Sequence, residues 1–312
     1  MEANNKWLVN VPVATLWTSY DSPRGIDQQA INKPADIEGW LSTLTYETSL
    51  DLCNSNLVQS QLLYGEEVIV IEEKEDWVHV LVQSQASSKN KQGYPGWIPS
   101  RQLRQREGWS INKSRVAVIR AKKAKILLDN KQELLLSYLT ILPVIAEEQA
   151  SVIVQTPEGT GILNSGDVSI CESISEQPKG NGADIVQAAE QFLGLPYLWG
   201  GMSSYGYDCS GLSYAACKAN GYIIPRDAHD QAAAGEKVDI TQLLPGDLLF
   251  FAYEEGKGSL HHVGIYYGEG KLLHSPNTGK MIEIIDLKGT VYEKELCAAR
   301  RYWNEWGNND VK

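Results

Sequence analysis

A cysteine that opens a helix, with two histidines on neighbouring strands, is enough for thiol-based hydrolysis, and this chain carries such a set. Asp208-Cys209-Ser210-Gly211 follows a Gly- and Ser-rich loop over residues 196–207. From there Leu212, Ala215, Ala216 and Ala219 recur at helical spacing, which puts Cys209 in the first turn of a predicted helix. Backbone N–H groups without intrahelical partners and the positive end of the helix dipole favour a thiolate there, and the thiolate is the nucleophile. Downstream, His261-His262-Val263-Gly264-Ile265-Tyr266-Tyr267 reads as a strand. Lys271-Leu272-Leu273-His274-Ser275 reads as its antiparallel partner across the turn Gly268-Glu269-Gly270. One imidazole then takes the thiol proton while a second polar group holds its ring, so His262 is the expected base and His274 the orienter. In a regular strand His261 faces the other way. Cys217 lies about two helical turns beyond Cys209 and is expected to be buried, with no redox role.

The elements that must position this set follow from Gly182 onward. Residues 183–193 place Ile185, Val186, Ala189, Phe192 and Leu193 on one helical face. After the Cys209 helix comes a short helix around residues 228–234. Strands are then predicted at 247–251, 262–267, 271–274, 280–285 and 297–302. Helices first and antiparallel strands after give an α+β order.

Asp208-Cys209-Ser210-Gly211, His262-Val263-Gly264-Ile265-Tyr266 and His274-Ser275 together resemble the three-part signature of the NlpC-type bacterial cell-wall cysteine peptidases. Those are papain-like γ-D-glutamyl-diamino-acid endopeptidases. The resemblance covers roughly residues 182–303, and its flanking pieces agree: Pro196-Tyr197-Leu198-Trp199-Gly200-Gly201, Pro225-Arg226-Asp227 and Pro245-Gly246-Asp247-Leu248. It implies that Tyr197 helps polarise the scissile carbonyl, with core packing as its plainer role, and that Trp199, Ser210 and Asp227 shape the substrate pocket. A carboxylate at Asp227 suits a free α-amine, such as the N-terminal L-Ala of a stem peptide. An N-cap for the following helix is its plainer role.

The first half of the chain is β-rich. A strand at residues 11–17, a helical insert at 34–41, and strands within 64–71, 76–82 and 93–99 suggest a small barrel. Gly93-Tyr94-Pro95-Gly96-Trp97-Ile98 resembles the last hairpin of bacterial SH3-like domains. Related enzymes close one end of the cleft with such a domain, which makes Tyr94 a second candidate for the substrate amine, beside an ordinary place in the hairpin. Residues 116–119, 124–128, 139–145, 151–154 and 161–163 repeat the strand spacing with the aromatics lost, as in a divergent second SH3-like barrel. The expected division is therefore 1–106, 107–172, a linker at 173–182, and a papain-like catalytic domain at 183–306.

Composition narrows what the site serves. Of 312 residues, 43% are hydrophobic and 21% charged, and the net charge of −11 disfavours nucleic acid and capture by an anionic wall or membrane. The sequence shows no cationic start with a long apolar run and no membrane-length apolar stretch. With five cysteines in no regular framework, the expectation is a cytoplasmic, monomeric protein, or an exported one if a signal has been removed. His79 and His229 read as packing or surface residues. No Cys-x-x-Cys or His-x-x-x-His spacing supports zinc, so neither metal nor cofactor is expected. The resemblance implies hydrolysis of the γ-D-glutamyl to L-diamino-acid bond (diaminopimelate or Lys) in murein stem peptides with a free N-terminal L-Ala, in peptidoglycan recycling. Alternatives are a wall-binding protein with residual catalysis, or an amidase or acyltransferase on the same fold.

Overall fold

Alternation of apolar residues makes the first half of the chain two antiparallel sheets of seven strands each. The computed structural model describes residues 6–112 and 114–303. The outer ends of the first and last expected domains, residues 1–5 and 304–306, lie outside the described residues. The first sheet runs Val58–Leu63, Val13–Trp17, Tyr94–Pro99, Trp77–Val82, Glu67–Lys74, Lys6–Val9, Leu103–Arg104. The second runs Glu133–Ser137, Lys123–Leu128, Gly159–Asn164, Ser151–Thr156, Ile141–Glu147, Val116–Ile119, Val168–Cys171. Counted from each sheet's first strand, both orders are third, second, sixth, fifth, fourth, first, seventh.

That strand-for-strand agreement is what a duplicated module leaves behind. Each sheet has its own core, around Val11, Leu16, Val80, Tyr94 and Ile98 in the first and around Ile119, Ile126, Leu142 and Val154 in the second. They differ between their second and third strands. The second sheet turns directly over residues 129–132, whereas the first inserts the helices Gln28–Ile31, Ile37–Thr43 and Tyr46–Asn54. Asp36 caps the middle helix by accepting from Gly39 N at 2.8 Å. The helix expected at 34–41 therefore begins only at Ile37, and the insert is longer than the sequence suggests, with the helix Gln28–Ile31 before it and Tyr46–Asn54 after it.

Both sheets, with residues 203–205, belong to one compact unit; residues 85–91, 178–202 and 206–303 form the other. In this second unit six strands run Glu236–Lys237, Leu296–Arg301, Leu248–Ala252, Leu260–Gly268, Lys271–His274, Glu283–Asp286. The helices Gly182–Glu190 and Cys209–Ala219 pack on each other and on the strand Leu260–Gly268. Leu249, Phe251, Leu272 and Ala299 build a core with Tyr292 and Leu296. Asp247, fully buried, takes both arms of Arg301 at 2.7 Å, which ties the start of one strand to its neighbour. The strand expected at 280–285 begins only at Glu283. The three residues before it are committed elsewhere: Lys280 O accepts from Tyr197 N and Ile282 N donates to Leu195 O, each at 2.9 Å. The tight turn Tyr253–Gly256, in which Glu254 and Glu255 are left-handed, and the short helix Val291–Glu295 were not anticipated. Among the described residues no helix is long and apolar enough to cross a membrane.

Candidate active site

Cys209 is the first residue of the helix Cys209–Ala219, as its sequence context predicts. Asp208 is the N-cap, accepting from Gly211 N at 2.6 Å. Gly211 has no alternative, because a Cβ there would collide with Gly201 O. The loop entering this helix is fixed from below: Ser275, buried beside His274, donates to Tyr207 O at 2.7 Å. The Gly and Ser of these motifs thus answer to close backbone approach.

The histidines come from adjacent strands. His262 lies on Leu260–Gly268 and His274 on Lys271–His274, and His262 Nε2 is 2.8 Å from His274 Nδ1. The hairpin register brings them together, and Gly264 leaves the room they need, since a Cβ there would sit 3.0 Å from His274 Cβ. The strand is not regular at its start. Phe251 pairs with His262 but Ala252 with Leu260, so His261 is the extra residue of a β-bulge. His261 is turned to Glu295, 3.0 Å away, and stacks on Tyr253.

Burial decides the electrostatics. His262 is 3% and His274 1% exposed, and Tyr292 lays its ring 5.2 Å from one and 5.0 Å from the other. Burial, aided by His274 and then His261, pushes His262 well below the ordinary histidine range. Burial and then Lys280 push His274 down to about 4. Burial drives the Cys209 thiol up to about 12, with Asp208 adding to it, while N–H groups of Val263 and Ser210 and the Arg226 charge oppose the rise. The helix-start advantage is therefore opposed by burial, which favours the neutral thiol and neutral imidazoles. Cys209 nonetheless keeps part of its surface open, so water reaches it and its desolvation is incomplete.

The predicted pocket residues divide. Ser210 is buried within an ion pair that the sequence did not signal. Arg226, 1% exposed, grips Asp208 with Nη2–Oδ2 at 2.6 Å and Nη1–Oδ1 at 3.1 Å, and its Nη1 also donates to Ser210 Oγ at 2.8 Å. Asp227 stands at the N-cap position of the helix Ala228–Ala233 but makes no capping bond with its side chain. Its Oδ2 meets Lys89 Nζ at 3.2 Å instead. Asp230 accepts from Ser88 N at 2.9 Å, and His229 is exposed beside it. Asp227, His229 and Asp230 are close enough to share an ion, but Lys89 and Ser88 already engage the two carboxylates. Tyr197 and Trp199 are half-buried in the entering loop. Tyr94 is buried in the first sheet with its hydroxyl donated to Gln59 Oε1 at 3.3 Å. His79 stacks on Trp97 at 5.0 Å, a packing role. Sequence reasoning missed Tyr292, Arg226 as an individual residue, and Glu283, whose Oε1 is 3.7 Å from His274 Nε2. Only the Pro-Arg-Asp tripeptide carried any signal.

A thiol on a helix start, over a histidine pair on an antiparallel sheet, defines a papain-like cysteine peptidase site. The model of the NlpC/P60 family matches residues 194–301, and that of the YKFC SH3b2 domain matches residues 119–170. Over 294 residues the chain is 49% identical to the gamma-D-glutamyl-L-lysine dipeptidyl-peptidase of Bacillus subtilis, covering 94% of this chain and 97% of that one. The protein of that name from Bacillus cereus is 39% identical over 96% of this chain and 91% of its own length. The crystal structure of an NlpC/P60 family protein from Bacillus cereus superposes with a TM-score of 0.93 at 38% identity, over 96% of this chain and all of that one. The chain belongs to the NlpC/P60 family of cysteine peptidases, with a papain-like catalytic fold and SH3-like β-structure before it.

Proposed function

We propose that this peptidase hydrolyses the γ-D-glutamyl to L-diamino-acid bond of murein stem peptides whose N-terminal L-Ala is free. Cys209 Sγ attacks the γ-carbonyl carbon as its proton passes to His262. Tyr197 and the backbone N–H of Cys209 hold the oxyanion. His262 then protonates the leaving amine, the C–N bond breaks, and water drawn by His262 cleaves the thioester to restore the thiol. His274 holds the His262 ring. Asp227 receives the α-amine, with Trp199 and Ser210 bounding the pocket.

The observation that carries this reading is the His262–His274 contact at 2.8 Å on the strand whose Val263 amide reaches the Cys209 sulfur. Support for the substrate comes from the two relatives named for γ-D-glutamyl-L-lysine, each matched over nine-tenths or more of its length. Asp227 supports the free amine, because its carboxylate makes no capping bond and already pairs with an ammonium. We place the activity in the cytoplasm, on liberated peptides, as the acidic charge of −11 disfavours an anionic wall. The test is mass spectrometry of defined muropeptides incubated with the protein. L-Ala-γ-D-Glu-L-Lys and its diaminopimelate counterpart should release L-Ala-D-Glu and the free diamino acid, and N-acetylated or glycan-linked stems should resist. Equal cleavage of blocked and free stems would overturn the reading.

A further inference from the structure

The hydrogen bond between the two histidines contains one proton, and its location decides whether His262 can work as a base. To accept the thiol proton at Nδ1, His262 must carry its own proton on Nε2 and donate it to His274 Nδ1. His274 then carries its proton on Nε2. That nitrogen is buried and has no hydrogen-bond partner. The carboxylate of Glu283 lies beyond it, Oε1 at 3.7 Å, on the residue paired directly across from His274 in the sheet. With the opposite tautomers, His274 Nε2 would aim a lone pair at a carboxylate, and His262 would hold its proton on Nδ1, where it could take none from Cys209.

We propose that Glu283 is a positioning residue of the catalytic site. Its carboxylate selects the tautomer pair that leaves His262 Nδ1 free, and it closes onto His274 Nε2–H when the histidine pair acquires a positive charge. This rests on the roles proposed above for Cys209 and His262. Three other groups face His274: His262 from the neighbouring strand, Lys280 from the segment before Glu283, and Tyr292 edge-on from the short helix. Lys280 opposes a cation on the pair, and among these groups Glu283 is the acid placed against Nε2. Glu283 is partly exposed, so its side chain can swing without disturbing the core.

Glu283→Ala, Glu283→Gln and Glu283→Asp are compared with the parent in kcat, KM and the pH profile of kcat/KM, using a free-amine γ-D-glutamyl peptide. Glu283→Ala should lose about tenfold in kcat with KM within about twofold. Glu283→Gln keeps an acceptor without the charge and should fall between. Glu283→Asp should recover part of the loss. Without the carboxylate the protonated pair is less stable, so the acid limb should move to lower pH, by about half a unit or more. An unaltered kcat and acid limb in Glu283→Ala would overturn the proposal, as would equal loss in Ala and Gln with the limb unmoved. Alkylation of Cys209 by iodoacetamide needs no substrate and separates this test from the substrate reading. At pH 7 it should be about threefold slower in Glu283→Ala, and an unchanged rate counts against the proposal even if the peptide is the wrong one.

Discussion

Two sides of the Cys209 helix start are built on opposite electrostatic plans. On the side of the chemistry, Cys209, His262 and His274 are all held neutral, the thiol raised to about 12 and both imidazoles depressed by burial. On the side proposed for recognition, Asp208 pairs with Arg226 at 2.6 Å and Asp227 with Lys89 at 3.2 Å. The difference follows from the tasks. A proton donor and acceptor that stay uncharged at rest leave the charge to develop only as the carbonyl is attacked, when oxyanion donors can stabilise it. A subsite for a charged amine needs a carboxylate standing ready, and such a carboxylate needs partners in the substrate's absence.

The largest effect should come from the neutral side. Cys209→Ala is expected to abolish turnover, and His262→Ala to cost about 10⁴-fold or more in kcat, because both proton transfers go with it. His274→Asn loosens the ring without removing the base and should cost distinctly less. Steady-state kinetics on one peptide ranks all three. Equal losses in His262→Ala and His274→Asn would erase the division of labour between the two histidines.

On the paired side, the Asp208–Arg226 contact tests whether charge there serves the fold. Arg226→Met leaves a largely buried carboxylate with only Gly211 N and Ser210 Oγ, and should destabilise by about 3–5 kcal/mol in urea denaturation. A loss under about 1 kcal/mol would reduce the pair to a bystander.

The neutral side has its own stability signature, with a definite sign. His274 goes from an ordinary 6.5 to about 4 in the folded protein, so between those values the unfolded chain binds more protons. Its contribution is complete above about pH 6.5 and is lost as pH falls towards 4, by roughly 3 kcal/mol at 1.36 kcal/mol per unit. His262, depressed in the same direction, adds to this loss. Melting temperatures across this window should drop less in a His274→Asn variant than in the parent.

Local features of this arrangement were legible before the structure. The Cys209 helix, the hairpin and the His262–His274 pairing follow from periodicity, turn residues and motif spacing, all of which act over a few residues. The Asp208–Arg226 pair was not legible, because it joins positions 18 apart that share no element. Neither Tyr292 nor Glu283 has a spacing that signals its role. Tyr292 is delivered by a five-residue helix with no buried stripe, and Glu283 by an edge strand. The helix Tyr46–Asn54 escaped for a related reason, since Leu52 is its one buried residue. In the second sheet the strands left out were Glu133–Ser137 and Val168–Cys171, the two edges, where one side lacks a partner and alternation fades. The thiolate expectation weighed the helix terminus without the burial around it, which pushes the thiol the other way.

The smallest effects lie at Asp227, where the comparison is most delicate. If its carboxylate receives the α-amine, Asp227→Asn should cost about 10²-fold in kcat/KM for free L-Ala stems, and little for N-acetylated ones. Cys209 alkylation should not change. Lys89 bears on the same oxygen, with Nζ 3.2 Å from Oδ2, and its side chain is 38% exposed. An ion pair that open to water is worth at most about 1 kcal/mol. On the proposed reading the Lys89 ammonium would stand in for the substrate amine and yield to it at small cost. Lys89→Met removes that competitor and should lower KM for free-amine peptides by about two- to fivefold, with kcat unchanged. For N-acetylated peptides it should have no effect, since no amine then competes. A raised KM would mean that Lys89 holds Asp227 in place for the substrate, and the two sides of the site would then share one principle, that groups are kept ready by their neighbours.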